Sequence, residues 1–582
     1  MSELSAKLKN LNPFSKSDDE EKFQDEDAGG NFGIDSVGLG GSRFRVGKDE
    51  LRVSQALRSF IAENKILSEK DAGVGAEGHP LALKKLLANV TFEVPQELRD
   101  RSHPLPDYYI SSSHNTYLMA HQLYGKSSAA AYETALKTGS RCVEIDAWDN
   151  SDDKDEPKVT HGFTLVSHIP FRKVCETIKE IYDVEKAQSE AFFDCQPGPI
   201  VLSLENHCSE YGQKRLVEIM KEVFGGALLS EPIIPEGKED SHDPAEHITL
   251  GQLGFKIVVI VEYHWSGEVK EVDATEYVAA DFVDEVEEAA HKEYEEMKQA
   301  EKASPIIPEL AALGVYAQSV KPRDNSWFDP GELLEGPHHH LINVSESGLG
   351  SHLPEKAEQV AIHNSKHLMR VYPKGTRIGS SNLKPVKFWG VGAQICALNW
   401  QTFGTSCQLN EALFAGSDGY VLKPEPLRIG GSGKIGTGKK KKLILHVGGA
   451  TDIPVGDDRG DKSFKPYLTC TIYSPLMHGD APKRKTAAYK HHKLGLLHRG
   501  DNPEATDPIW DEKLEWEYDD TDLVFLRMLI KSDDAWARNP MFAVAAVRLQ
   551  YTIPGWTFVR MLDMQGRETS CTVLLNFEIV DI

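Results

Sequence analysis

The residues able to do chemistry fall in a few short segments. Ser111-Ser-Ser-His-Asn-Thr-Tyr117 sets an imidazole, His114, beside a carboxamide, Asn115. Arg141-Cys-Val-Glu-Ile-Asp-Ala-Trp148 places two carboxylates, Glu144 and Asp146, two residues apart. In a strand that spacing turns both to one face. His161-Gly-Phe-Thr brings a second imidazole, and the apolar run Val201-Leu-Ser-Leu-Glu-Asn206 ends in Glu205. Three carboxylates and an amide oxygen are hard ligands, right for Ca²⁺ or Mg²⁺ and poor for zinc. Two histidines beside a hard cation suit phosphoryl transfer. One can steady transition-state charge while the other protonates a leaving oxygen.

The elements that must position these groups follow from the spacing. Each segment lies near the C-terminal end of a β-type stretch. A TIM-type α/β barrel builds its active site in that way, from the loops at one end. A lone His-Asn pair or Glu-x-Asp strand is usually structural; five such segments in one order are not.

Order and spelling together resemble the catalytic barrel of the eukaryotic phosphoinositide-specific phospholipase C family. Ser113-His-Asn-Thr-Tyr117, Glu144-Ile-Asp146, His161-Gly-Phe and Leu204-Glu-Asn-His207 carry the X half, and the match runs from about Leu105 to Tyr263. His367-Leu-Met-Arg-Val-Tyr-Pro373, Ser380-Ser-Asn382, Gln394-Ile-Cys-Ala-Leu-Asn399 and Gly419-Tyr-Val-Leu-Lys-Pro424 carry the Y half, from about Pro308 to Arg428. From about Lys440 onward the chain resembles the C2 sandwich that follows this barrel. The implied fold is a (β/α)8 barrel split by an acidic linker, then an all-β C2 sandwich, with a short helical region in front. The implied divisions are a disordered 1–45, a helical 46–104 resembling a degenerate EF-hand remnant, the X half at 105–265, the linker at 266–305, the Y half at 306–430 and C2 at 431–582. Neither a working EF-hand loop nor room for a pleckstrin-homology domain is expected before the barrel.

The resemblance also implies roles. Asn115, Glu144, Asp146 and Glu205 would hold Ca²⁺. Glu144 or Glu205 would take the proton of the inositol 2-hydroxyl, His114 would stabilise charge on the phosphoryl oxygens, and His161 would protonate diacylglycerol and later activate water. Glu144, His114 and His161 are therefore the expected catalytic set. Ser345, Arg370 and Tyr372 match headgroup-binding positions, and Leu123, Phe163 and Leu165 a lipid-facing rim, with Thr376 where an aromatic is common. The family usually has a Lys-x-Lys pair on the strand after Leu253. Here Ile260 and Glu262 stand there, so the 4,5-bisphosphate is expected to be a poor substrate.

Composition fits this outline. At 582 residues and 40% hydrophobic content, several domains with ample core are expected. The eight cysteines lack paired spacing and read as reduced thiols. No apolar run approaches transmembrane length. A net charge of −24 argues against nucleic acid. Cytoplasmic location, peripheral contact with a phosphoinositide-containing membrane and a monomer are expected. Apolar residues Leu51, Leu57, Phe60 and Ile61 predict a helix over 48–66, and Leu81, Leu83, Leu86 and Leu87 another after Pro80. The acidic linker is predicted to carry a helix and, by resemblance, to restrain activity in solution. In C2, Asp452, Asp457, Asp458 and Asp461 crowd the first loop, yet Lys465 and Asn539-Pro540 argue against a full calcium site. Lys483-Arg-Lys485, with Lys490 and Lys493, could touch anionic headgroups. His338-His-His340 reads as surface. A second reading, from a different class, is a catalytically weak phospholipase-C-like membrane-binding or scaffold protein.

Overall fold

The computed structural model describes residues 51–89, 92–119, 124–125, 127–161, 165–192, 197–234, 247–265, 304–322, 324–329, 333, 336–337, 339–375, 377, 380–455, 464–491, 502–533 and 541–582. The expectations for 1–45, for linker residues 266–303, and for Leu123, Phe163, Thr376, Asp457, Asp458, Asp461, Lys493, Asn539 and Pro540 lie outside the described residues.

Eight parallel strands form a barrel: β1 Tyr108–Ile110, β2 Cys142–Trp148, β3 Ile200–His207, β4 Ile257–Tyr263, β5 Gln318–Val320, β6 His340–Ser345, β7 Leu368–Tyr372 and β8 Ile395–Cys396. Each pairs with its successor in the chain, and β8 returns to β1 through Ile110↔Ile395. The Ser112↔Cys142 bridge joins β1 to β2 and closes the barrel. These strands read as Val/Ile/Leu runs because helices cover them outside and packed side chains fill them inside. Helix α1 (Gln55–Glu63) begins after Ser54, whose hydroxyl accepts the Leu57 amide, so the predicted 48–66 helix is shorter and Leu51 and Val53 are buried in extended chain. Helices α2 (Leu81–Ala88), α3 (Ala129–Lys137), α4 (Phe171–Phe192) and α5 (Glu210–Phe224) follow. On α5, Ser209 caps the start and Leu216, Ile219, Met220 and Phe224 form the buried stripe that packs toward the barrel.

The C-terminal unit is an antiparallel sandwich of β9 Lys440–Thr451, β10 Pro466–Tyr473, β11 Lys483–Lys485, β12 Ile509–Asp519, β13 Phe525–Ser532, β14 Met541–Arg548, β15 Gly555–Leu562 and β16 Glu568–Asp581, in the order β11-β10-β13-β14-β15-β16-β9-β12. Strand β12 shows why: Trp510, Leu514, Trp516 and Tyr518 face the core while Glu515, Glu517 and Asp519 face water. The sandwich shares core with the barrel. Trp389 packs on Phe525 with ring centroids 5.6 Å apart, Arg527 Nε donates to Gln408 Oε1 at 2.6 Å, and the Tyr551 hydroxyl donates to Leu413 O at 2.8 Å. The N-terminal helices pack on the sandwich instead: Leu57, Phe60, Ile61, Leu83 and Leu87 join Phe558 and Leu574 in one cluster. Arg52 pairs with both Asp452 and Asp507 at 2.5 Å, so the one first-loop aspartate that is described already faces an internal cation.

The base of the barrel corrects one sequence expectation. His340 is not at the surface; it is 3% exposed. Its Nε2 lies 3.1 Å from His363 Nε2, and its ring stacks on His367 at 3.8 Å. His339 and His247 line the same small cavity beside Leu105, Ile248 and Tyr316. The partners are far apart in the chain, so no local pattern announced them.

Candidate active site

At the opposite end of the barrel, register brings the expected groups together. Asp146 pairs with Glu205 and Glu144 with Ser203 across β2–β3, and Ser345 pairs with Tyr372 across β6–β7. Glu144, Asp146 and Glu205 each offer an oxygen within 4.8 Å of the others, the one such metal-competent group among the described residues. Glu144 and Asp146 are buried. Desolvation, reinforced by the neighbouring Glu205 and Glu144 charges, pushes Asp146 well above the usual carboxylate range. Glu205 is raised too, by burial first and then by Glu144. Such crowding is costly unless a cation shares the site.

Second-layer contacts fix the carboxylates. Asn115 has φ 44°, a left-handed conformation that asparagine tolerates, and its amide donates to Glu144 Oε2 at 2.5 Å. The Tyr117 hydroxyl donates to Asp146 Oδ2 at 2.6 Å and lies 3.1 Å from Asn115 Oδ1. Asp146 Oδ1 is buried with no hydrogen-bond donor. A buried bare oxygen beside two further carboxylates and an amide oxygen fits a hard divalent cation such as Ca²⁺. Tyr117 was legible only as a neighbour of Asn115 two residues away; nothing local marked its hydroxyl as a support.

Arg370 stands inside this cluster. Fully buried, it places Nη2 2.6 Å from Glu144 Oε1 and Nη1 3.7 Å from Glu205 Oε1, and it donates from Nη1 to Asn343 Oδ1 at 3.0 Å. The carboxylates outweigh its desolvation and hold it firmly protonated. Its guanidinium also lies over Tyr372, 5.7 Å from the ring centroid.

His114 Nδ1 lies 2.8 Å from Asn399 Oδ1. Asn399 donates its own amide to Ser381 O, so its oxygen faces the ring and Nδ1 is the protonated nitrogen. Nε2 then points to the carboxylate side, 4.0 Å from Glu144 Oε2. Burial and the charge of Arg370 lower His114 to about 4, so the imidazole is neutral near pH 7. His161 is half-buried and follows Thr160, whose amide donates to Asp146 O at 3.3 Å. That backbone bond ties the segment entering His161 to the strand that carries Asp146. Ser345 accepts the Gly348 amide at 3.1 Å, which leaves its hydroxyl hydrogen to donate. Of the expected rim, Leu165 starts a two-residue strand, Leu165–Val166, paired to Tyr124–Gly125.

Comparison with known proteins agrees with this geometry. Residues 101–263 match the model of the phosphatidylinositol-specific phospholipase C X domain, and residues 310–426 that of the Y domain. The human 1-phosphatidylinositol 4,5-bisphosphate phosphodiesterase delta-1 is 29% identical over 493 residues, 83% of this chain and 61% of the relative. A Dictyostelium discoideum 1-phosphatidylinositol 4,5-bisphosphate phosphodiesterase is 30% identical, over 82% of this chain and 59% of that one. The chain thus spans about three fifths of the length of these curated relatives. The crystal structure of L. pealei PLC21 superposes with a TM-score of 0.65 at 26% identity, over 90% of this chain and 62% of that one.

Proposed function

Because this chain belongs to the phosphoinositide-specific phospholipase C family, we propose that it hydrolyses phosphatidylinositol or its phosphates to diacylglycerol and inositol phosphate, with Ca²⁺ as cofactor. The observation that carries this is the Glu144–Asp146–Glu205 group, with Glu144 and Asp146 buried and one Asp146 oxygen without a donor. Held there with Asn115, Ca²⁺ would lower the pKa of a substrate hydroxyl and attract phosphate charge.

The chain's own residues do the rest. Glu144 or Glu205 takes the proton of the inositol 2-hydroxyl. The 2-oxygen attacks phosphorus, the bond to diacylglycerol breaks, and a cyclic phosphate forms. His114 presents Nε2 to the phosphoryl oxygens, and approach of that anion offsets the effects that keep the ring neutral. His161 gives its proton to the departing diacylglycerol oxygen and then takes one from the water that opens the ring. Tyr372 offers the inositol a face, and Ser345 and Arg370 offer donors. The nucleophile is already part of the substrate, which spares the entropy of fixing an external one. The protein acts as a peripheral cytoplasmic monomer. Among the described residues no helix is long and apolar enough to cross a membrane.

The test is release of water-soluble inositol phosphate from phosphoinositide vesicles, with Ca²⁺ or chelator. Calcium-dependent turnover that falls about 10²–10⁴-fold in His161→Ala supports the proposal. Vesicle binding with no turnover in the wild type would instead favour the scaffold reading.

A further inference from the structure

The geometry points to Glu262 as a specificity-determining residue: it disfavours phosphate groups on the inositol ring at the β4 side of the mouth, so that phosphatidylinositol is turned over at least as well as its 4,5-bisphosphate. This rests on the phospholipase reading above and sharpens it. The matched relatives carry 4,5-bisphosphate in their names; in this chain the β4 side of the mouth presents the carboxylate of Glu262.

Register places Glu262 inside the mouth. Ser203 pairs with Ile260 across β3–β4, so two residues further on Glu262 falls beside Glu205. On its other side Glu262 pairs with Ser319 of β5. Asp146, Glu205 and Glu262 thus stand on three adjacent strands, about 5 Å apart strand to strand, on one inner face. Ile260, the layer below, is buried and apolar. The Glu262 side chain is 33% exposed, and its Oε2 lies 3.6 Å from His264 Nε2.

Among the described residues, β3 to β6 carry no lysine or arginine within their spans. Arg370 already serves Glu144 and Glu205. Lys256 precedes β4 by one residue and donates to Gly226 O at 2.8 Å. It is six residues from Glu262, about 20 Å along the strand and at the wrong end of the barrel. Lys321 is the nearest basic residue by register, two beyond Ser319. It is exposed, one residue past the end of β5, and its carbonyl accepts the Trp265 indole N–H at 3.1 Å.

A ring phosphate carries between one and two negative charges, and set against a half-buried carboxylate it is repelled. A ring hydroxyl is not: a carboxylate accepts from it, and the Ser319 hydroxyl can complete the bond. One side chain therefore both rewards hydroxyl and penalises phosphate, which is how specificity is obtained from a single position.

The experiment measures kcat/KM on mixed vesicles holding equal mole fractions of phosphatidylinositol and its 4,5-bisphosphate, for the full chain and three variants. The wild type should favour phosphatidylinositol or be indifferent. Glu262→Lys should shift the ratio toward the bisphosphate by tenfold or more, on the order expected for reversing a close charge, and Glu262→Gln in the same direction by less. Lys321→Ala should leave the ratio where it was. A strong bisphosphate preference in the wild type overturns the inference, as does a ratio unmoved by Glu262→Lys; loss of such a preference in Lys321→Ala would assign phosphate reading to Lys321. If neither lipid is hydrolysed, the phospholipase reading fails, yet calorimetry with soluble inositol 1-phosphate and inositol 1,4,5-trisphosphate still scores the selection. Tighter binding of the trisphosphate overturns it, and weaker binding upholds it.

Discussion

The two ends of the barrel both bury ionisable groups and treat them in opposite ways. At the mouth, Glu144, Asp146 and Glu205 crowd together and Arg370 is kept charged among them. At the base, His340, His363 and His367 meet ring to ring, and burial forces His363 down to about 3 and His367 well below its ordinary value. Desolvation is the common cost. At the mouth the charges compensate one another and leave an excess of anion for a cation to neutralise. At the base the groups give up their protons and become aromatic core.

The contrast is most severely tested at Asp146. Replacing it by Asn removes a charge and a bare oxygen from the mouth. Ca²⁺ affinity by calorimetry and turnover on vesicles should each fall by about 100-fold or more, since even supporting residues around metal ligands are worth 10–100-fold. Unchanged affinity would mean that the carboxylates balance Arg370 and nothing else.

Next comes the base. The folded-state pKa of His363 is depressed below the unfolded value of about 6.5, so below that pH the unfolded chain binds more protons. Stability is full above pH 6.5 and is lost as pH falls toward about 3. By pH 5 one such imidazole removes roughly 2 kcal/mol. Denaturant unfolding at pH 7.5 and 5 should show this loss, and His363→Gln should reduce it; an identical slope in the variant would show that the cluster does not govern acid stability.

Tyr117→Phe is a finer probe of the mouth. It takes away only the hydroxyl on Asp146, and Ca²⁺ affinity should drop about tenfold. The smallest effect belongs to Arg52→Ala. Its ion pairs with Asp452 and Asp507 are partly exposed, so unfolding free energy should change by less than about 1 kcal/mol.

Much of the mouth was legible because barrel geometry converts spacing into direction. Glu144 and Asp146 alternate out of a strand, and Glu205 ends the next one, so their meeting follows from parallel register. The three-residue neighbourhood of Asn115 was legible as a motif, though its positive φ and the support from Tyr117 were not. Arg370 was read as a headgroup ligand by resemblance; that its guanidinium reaches Glu144 depends on side-chain packing across six strands. The base was misread for a simpler reason. His340 opens β6, His363 lies on the helix Ala357–Lys366 and His367 immediately precedes β7; parallel pairing of β6 with β7, Leu341 opposite Leu368, and the packing of that helix bring the three rings together. The helix over 55–63 was found with its ends too wide, because Ser54 stops it with one hydroxyl.

The contacts joining α1, the sandwich and the barrel have a mechanical consequence. Trp389 on Phe525 and Arg527 on Gln408 act as two separate fixings between barrel and sandwich, and Phe60 on Trp556 fastens the N-terminal helices to the far side. Two fixings remove the hinge that one would leave. A torque applied to the sandwich is therefore delivered to the barrel as rotation of a single body. The tilt of the mouth relative to any surface the sandwich rests on is set by folding and needs no further step to adjust it.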